Sequence, residues 1–238
     1  SATTFAHNAE RLFEIAPTVR TARFPDASNE VGPLARCAPL SRLSTVDLHS
    51  MCSCGLCPIH NDLRALFASK HTRGLTRLNL ADNRLDAAGV KRLVASKGLS
   101  QLVELDLSEN WIMADGLEEL AKAKHLTRLV TLDLSDSGVY ADQAGGFAKL
   151  TNLPALRNLR LRHNTLDAAC VRALTAAPLF AQLTSLDLSH NRLGATGAKA
   201  LAGLPETNKL ESLDVRYCDL TEPATRALKQ RFGKRVKV

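Results

Sequence analysis

Aromatic residues are scarce in this chain, and long apolar runs are missing. Only 4% of the 238 residues are Phe, Trp or Tyr, which disfavours a surface that stacks the bases of single-stranded nucleic acid. No run is long or apolar enough to span a membrane, and no secretory hydrophobic segment precedes the first predicted helix. We therefore expect a cytoplasmic protein that does not bind a membrane.

Motifs that mark catalytic sites are also missing. The sequence contains no Gly-rich phosphate loop, Gly-x-Ser-x-Gly turn, His-Glu-x-x-His pair or dinucleotide fingerprint. His163 and His190, with Asp187, come nearest to an acid–base group, but an open surface without a pocket does not exclude water. We predict no enzymatic activity, no catalytic residues and no cofactor apart from the zinc alternative described below.

Basic residues outnumber acidic ones, 31 against 24, but the excess is spread along the chain. Its densest part is a short C-terminal group: Lys229, Arg231, Lys234, Arg235 and Lys237. That arrangement is more typical of a solvated helix end than of a nucleic-acid site. Protein therefore ranks above nucleic acid as the predicted partner.

What the chain does have is one frame, Leu-x-x-Leu-x-Leu-x-x-Asn-x-Leu, that returns every 27 residues. The frame begins at Leu75, Leu102, Leu129, Leu156, Leu183 and Leu210. Apolar and polar residues alternate inside it, as in a strand with one buried face. The stretch after each frame has amphipathic helical spacing, and such a crossover makes successive strands parallel.

The ninth position of the frame predicts a turn out of each strand. Most repeats have Asn there, and two have other small polar residues: Asn83, Asn110, Ser137, Asn164, Asn191 and Cys218. Stacked Asn amides would satisfy backbone groups that the turn frees.

The unbroken repeat leaves no domain boundary, so we predict a single domain over residues 1–238. Residues 1–42 contain an N-terminal capping helix from Asn8 to Ile15 and a degenerate repeat. Residues 43–74 form a repeat with a Cys-rich insertion, and 75–220 hold the regular repeats. Residues 221–238 form a C-terminal capping helix, Glu222 to Phe232, and a basic tail.

The 27-residue period, the small residue at a fixed helical position and the Asn or Cys of the turn resemble the ribonuclease-inhibitor-like class of leucine-rich repeats. The resemblance covers about residues 19–238 and extends to bacterial members, in which the array commonly sits beside another domain. It implies an α/β solenoid, a short right-handed βα horseshoe with a parallel sheet on the concave face and helices on the convex face. It also implies a protein-binding scaffold without catalytic residues.

Exposed strand positions predict that the concave face is polarised. An acidic area comprises Asp82, Glu104, Asp106, Glu109, Asp133 and Asp136, and a basic and aromatic area comprises Arg160, Arg162, His163, His190, Arg216 and Tyr217. Leu-Asp-Leu-Ser is a common wording of the repeat, so Asp106 and Asp133 are also explained as default strand residues. Arg160 and Arg162 replace that default, and we expect them to bind an acidic partner surface or a C-terminal carboxylate.

A cysteine-rich loop forms a second distinctive group. Cys52, Cys54, Cys57 and His60 lie within nine residues, where one frame interval grows from 27 to 32. Four ligands of this kind close a tetrahedral zinc site, although the Cys-x-Cys spacing is tighter than usual and no second Cys pair follows. Three alternatives stay open: a reduced loop, a structural zinc, and a disulfide, the last disfavoured in a reducing compartment.

Three functions follow from these patterns. The leading hypothesis is a protein-interaction scaffold that binds its partner on the concave face, as the recognition module of a larger protein or complex. The alternative is a regulator of a partner enzyme, either an inhibitor or an activator similar to the leucine-rich activators of small GTPases. An electrostatic nucleic-acid binder, which would release its ligand in salt, ranks third.

Overall fold

The computed structural model describes residues 1–25, 27, 30–50, 59–140, 145–205 and 209–238, and of residues 59–62, 145 and 148 the backbone alone. Strands and helices alternate within these residues. The strands are β1 (Thr21–Arg23), β2 (Thr45–Asp47), β3 (Arg77–Asn79), β4 (Glu104–Asp106), β5 (Thr131–Asp133), β6 (Asn158–Arg160), β7 (Ser185–Asp187), β8 (Ser212–Asp214) and β9 (Val236–Lys237). The α-helices are α1 (Ala2–Ile15), α2 (Val31–Arg36), α3 (Ile59–Ala68), α4 (Ala87–Ala95), α5 (Met113–Leu120), α6 (Gly145–Ala148), α7 (Ala168–Ala176), α8 (Gly194–Ala202) and α9 (Glu222–Phe232). Short 3-10 turns precede several strands, at Ala38–Arg42, Lys70–Thr72, Lys97–Leu99, Pro178–Gln182 and Gly233–Arg235.

The strands form one open parallel sheet in chain order, from β1 to β9. Each regular strand pairs with the next in constant register, so that Leu78 lies beside Leu105 and Leu132 beside Leu159. This register keeps equivalent frame positions side by side across the sheet. The α/β solenoid predicted from the repeat, with its sheet on the concave face, is confirmed.

The core lies between the sheet and the helices. The central residue of each strand from β2 to β8 is at most 2% exposed: Val46, Leu78, Leu105, Leu132, Leu159, Leu186 and Leu213. Helix α4 presents Gly89, Val90 and Leu93 to this layer, and all three are buried. Each buried Leu contributes roughly 1.5–3 kcal/mol relative to an exposed one.

The Asn residues of the turn form a buried ladder, as predicted. The Asn164 amide nitrogen donates to the backbone oxygens of Leu134 and Arg162, at 2.7 and 3.1 Å. Its side-chain oxygen accepts from the backbone N–H groups of Ser137 and Val139, at 3.0 and 3.1 Å. One side chain thus satisfies backbone groups in two repeats, because no strand partner reaches them in the turn.

Ser137 and Cys218 replace Asn on the same ladder. The Ser137 hydroxyl donates to the Leu107 oxygen at 3.0 Å, and the Cys218 thiol donates to the Leu188 oxygen at the same distance. Burial raises the pKa of the Cys218 thiol to about 11, so it stays protonated at neutral pH. Its role is that of a small buried donor rather than a reactive thiol.

The N-terminal cap is larger than the sequence indicated. Helix α1 begins at Ala2 rather than Asn8, because the Ser1 hydroxyl accepts a hydrogen bond from the Thr4 N–H. Helix α2 was not predicted at all. Its sequence begins Val-Gly-Pro, and Gly and Pro obscure helical spacing although Pro is tolerated in a first turn.

The C-terminal end follows the prediction. Helix α9 ends at Phe232, and Gly233 takes a positive φ of 58°, a conformation that favours glycine. The chain then adds β9 beside β8, and the Val215 N–H donates to the Lys237 oxygen at 2.8 Å. The last regular strand therefore has a hydrogen-bonded neighbour.

Candidate interaction surface

A column of left-handed residues follows the strands at one border of the concave face, which we call the rim. Seven successive strands are followed by a non-glycine residue with φ between 49° and 57°: Ser50, Asp82, Glu109, Asp136, His163, His190 and Tyr217. The N–H groups of the first six, from Ser50 to His190, extend the sheet hydrogen bonding, as when Glu109 donates to the Ser135 oxygen at 2.8 Å. The backbone therefore fixes where these side chains leave the sheet.

The predicted acidic area contains paired and unpaired carboxylates. Glu104 forms an ion pair with Arg77 at 3.0 Å. Asp106 accepts hydrogen bonds from its own turn, and Asp133 is 9% exposed. Glu109 and Asp136 are exposed, and within the described residues neither side chain has a hydrogen bond or ion pair. Asp82, at the equivalent position two repeats before Asp136, is exposed as well, so the outward-facing negative charge of the acidic area lies on these three residues.

The arginines of the predicted basic area are also unequal. Arg160 pairs with Asp133 on the neighbouring strand, with the nitrogen and oxygen 3.2 Å apart. Arg216 donates to both carboxylate oxygens of Asp214, the closest contact being 2.6 Å. Among the described residues Arg162 has no carboxylate partner and contacts His190 instead, at 3.3 Å. The predicted acidic and basic areas therefore meet in an ion pair rather than standing apart.

Three rings of the basic area form a stack along the rim. The His163 and His190 rings lie with centroids 4.2 Å apart, and the His190 and Tyr217 rings 4.4 Å apart. Desolvation in the stack, with His163 and Arg162 nearby, lowers the pKa of His190. The imidazole is therefore neutral at neutral pH, and the stack presents an aromatic surface next to Arg162.

Two open cavities lie on the concave face. One, of about 270 Å³, lies over β2 to β6 and is lined by polar residues that include Arg77 and Glu104. The other, of about 520 Å³, lies between Glu109 and Asp136 on one side and Arg160 and Arg162 on the other. The structure thus brings most predicted site residues from β4 to β7 around one depression, while Arg216 and Tyr217 lie farther along the sheet.

Sequence reasoning missed two aromatic residues on the rim. The Trp111 and Tyr140 side chains are 55% and 45% exposed, against 72% for Tyr217. Trp111 directly follows the ladder Asn, and Tyr140 lies in the irregular repeat that starts at Leu129. Both could have been recognised in the sequence, because each is a large aromatic residue at a position that the repeat does not bury in the core.

The cysteine loop lies mostly outside the described residues. Nothing is described of Cys52, Cys54 or Cys57, and only the backbone of His60 is described, within α3. In the described ranges no group of three or more His, Cys, Asp or Glu is arranged to hold a metal ion. The three alternatives for this loop, zinc included, stay predictions, and elemental analysis of the purified protein tests the metal.

Three segments of the chain match a known family model. The family model described as leucine-rich repeat matches residues 74–94, 99–121 and 182–202. These three segments are similar to leucine-rich repeats. Each segment contains one complete strand and most or all of the helix that follows it, which agrees with the strand–helix alternation of the fold.

Solved structures align with the chain at low sequence identity. A crystal structure of a Bacteroides fragilis protein aligns with a TM-score of 0.61 at 14% identity, over 98% of this chain and 72% of the other. A Listeria monocytogenes internalin aligns at 15% identity with a TM-score of 0.42, over 84% of this chain and 68% of the other. No curated protein matches the chain. The first of these likenesses supports the fold and says nothing about a partner.

In the part of the chain that the structure describes, no helix combines the length and hydrophobicity needed to cross a membrane.

Proposed function

We propose that this leucine-rich-repeat chain is a non-catalytic scaffold that binds a protein partner on its concave face and rim. One observation carries the proposal: all the Trp and Tyr residues of the chain, Trp111, Tyr140 and Tyr217, are exposed on this side. Every Phe is buried or half-buried, so the chain does not expose aromatic rings at random. Trp, Tyr and Arg are the residue types that contribute most at protein interfaces.

The shape of the surface supports binding rather than catalysis. The cavities of the concave face are open depressions lined by strand residues, and water reaches them freely. A catalytic group gains most from an enclosed site that excludes water and holds charges in place. The stacked His163 and His190 rings offer a contact surface to a partner instead.

Within this surface, Arg162 is the arginine best suited to an acidic group of the partner. The guanidinium groups of Arg160 and Arg216 already bind Asp133 and Asp214, and a partner carboxylate would have to displace these. Arg162 lies beside the exposed Tyr217 stack and has no such competitor among the described residues. We therefore assign the predicted acidic contact to Arg162 and Tyr217.

We further propose that the repeats are of the ribonuclease-inhibitor-like class and that the protein acts in the cytoplasm. The class assignment is supported by the 27-residue period and by the α-helix that follows each regular strand. The compartment is supported by the buried thiols of Cys37 and Cys218, which form no disulfide within the described residues. Unpaired cysteines are typical of reducing compartments.

The scaffold proposal is tested by comparing the partners of the native chain with those of variants. We expect Tyr217→Ala and Arg162→Ala to weaken binding of each true partner by about 30-fold, the effect of removing a hot-spot residue worth about 2 kcal/mol. Quantitative mass spectrometry identifies the enriched proteins, and titration with each purified candidate gives the affinity. The free energy of unfolding should change by less than about 0.5 kcal/mol.

Ile15→Ala is the matched control, because Ile15 is a 75% exposed apolar residue on α1, away from this surface. It should retain every partner that the native chain binds. Identical partners and affinities for all three variants would refute binding through this face.

A further inference from the structure

A pocket on the rim lies next to the concave face. It has a volume of about 430 Å³, and its principal lining residues are Glu109, Trp111, Asp136, Gly138, Tyr140 and His163. We call it the rim pocket. It shares Glu109, Asp136 and His163 with the larger cavity of the concave face, so a partner seated on that face also reaches this pocket.

Gly138 opens the rim pocket. The equivalent frame positions hold larger residues in the neighbouring repeats, Trp111 on one side and Thr165 on the other. Gly138 adopts a positive φ of 69°, and a Cβ there would lie 3.5 Å from the Met113 side chain and 3.7 Å from the Tyr140 hydroxyl. Because Gly138 has no side chain, a gap remains between Trp111 and Thr165, and the Trp111 and Tyr140 rings border it.

Two carboxylates border the same gap. Glu109 and Asp136 occupy equivalent positions on adjacent repeats, and their backbones are fixed by hydrogen bonds to the oxygens of Ser135 and Arg162, both at 2.8 Å. Adjacent strands lie about 4.8 Å apart, so one cationic group can reach both side chains. Both carboxylates are exposed and lack partners within the described residues.

The aromatic wall already accepts a guanidinium. The Arg84 side chain lies over the Trp111 ring, 5.7 Å from its centroid, although Arg84 does not line the rim pocket. This contact is an intramolecular example of the cation–π interaction that Trp makes best. A second guanidinium that entered the rim pocket would meet Trp111, Tyr140 and two carboxylates.

We propose that the rim pocket binds an arginine side chain presented by the protein partner. The proposal rests on the scaffold function and adds the chemistry of one contact. A guanidinium combines a flat face for the rings with a planar fork of donors for the two carboxylates, whereas an ammonium is a compact point charge. An acidic or apolar side chain would leave Glu109 and Asp136 without a counter-charge.

The chain contains a single Trp, so its intrinsic fluorescence reports on the rim pocket directly. The probe is the capped tripeptide acetyl-Gly-Arg-Gly-amide, and its matched control contains citrulline, which keeps the shape and removes the charge. We expect saturable quenching of Trp111 by the arginine peptide, with a dissociation constant of about 1–10 mM. The citrulline peptide should bind at least about 10-fold more weakly, because charge-assisted hydrogen bonds are lost.

Variants locate the binding. Glu109→Gln combined with Asp136→Asn should weaken the arginine peptide about 10-fold or more, while Asp219→Asn, an exposed carboxylate at the last equivalent of the Gly138 position, should leave binding unchanged. Equal quenching by the two peptides, no saturable quenching, or no effect of the double variant would each overturn the proposal.

The two proposals fail in different ways. Loss of partners in Tyr217→Ala with no arginine-specific quenching would retain the scaffold and refute the rim pocket. Arginine-specific quenching with unchanged partners in Tyr217→Ala and Arg162→Ala would refute binding through the concave face as proposed.

Discussion

At the scale of single residues, the most demanding positions are the buried Asn side chains of the ladder. Asn164 is 1% exposed and uses both ends of its amide, donating to two backbone oxygens and accepting from two backbone N–H groups. Ser137 and Cys218 retain only part of this pattern, because each offers a single small donor. The ladder therefore tolerates a shorter side chain in some repeats.

Asn164→Ala should lower the free energy of unfolding by about 3 kcal/mol or more. The substitution leaves at least two buried N–H groups without acceptors, each worth roughly 1–3 kcal/mol. Denaturant unfolding followed by circular dichroism measures the change. Asn8→Ala is the control, since Asn8 is exposed on α1 and its amide bonds only to its own helix; its effect should stay within about 0.5 kcal/mol. Equal effects of the two substitutions would contradict a structural role for the ladder.

At the scale of elements, the strands are nearly identical and the helices differ. Helices α4 and α7 begin with Asp side chains that accept N–H groups of the first turn, whereas the N-cap residues of α5 and α8 are Ile112 and Leu193, which make no side-chain hydrogen bond. The sheet register does not depend on these caps. Local helix stability is thus set repeat by repeat.

Asp167→Ala should destabilise the protein by about 1 kcal/mol, because the carboxylate accepts from the Ala169 and Cys170 N–H groups at 2.8 and 3.0 Å. Asp167→Asn keeps an acceptor at the cap and should remain within about 0.5 kcal/mol of the native chain. Thermal unfolding monitored by calorimetry distinguishes them. A large loss in both variants would indicate that the negative charge, rather than the cap, is what matters.

At the scale of the whole molecule, an open sheet has two edge strands whose outer backbone groups lack a strand partner. The short β9 covers β8, and the Val236 and Val238 side chains pack against the core. Unpaired strand edges recruit other strands. The residues of β9 therefore affect whether the sheet associates with other chains, which is a property of the whole molecule rather than of one repeat.

A chain that ends at Arg235 should self-associate more than the native chain at equal concentration, because β8 then presents unpaired backbone groups. Light scattering coupled to gel filtration measures the mass. Lys237→Ala serves as the control, since it preserves the backbone bond from Val215 to residue 237. An unchanged mass for the shortened chain would show that β8 needs no cover.

Much of this architecture could be predicted from the sequence because strand, turn and helix positions depend on residue type at fixed spacing. The frame assigns Leu132 to the buried face of a strand and Asn164 to the turn. The ion pair between Asp133 and Arg160 could also have been predicted, since residues 27 apart lie side by side on adjacent strands. The rim pocket was not, because it depends on the backbone path after the ladder and on the gap at Gly138, which the frame does not specify.

The left-handed column along the rim has a consequence for how such a surface changes over time. Its members include Ser, Asp, Glu, His and Tyr, so the backbone holds the same conformation with chemically unrelated side chains. None of these side chains is needed for the ladder beneath them. A single substitution in this column can therefore alter the ligand preference of one repeat while the fold persists. The rim can thus change its binding specificity one residue at a time, in evolution or by protein engineering.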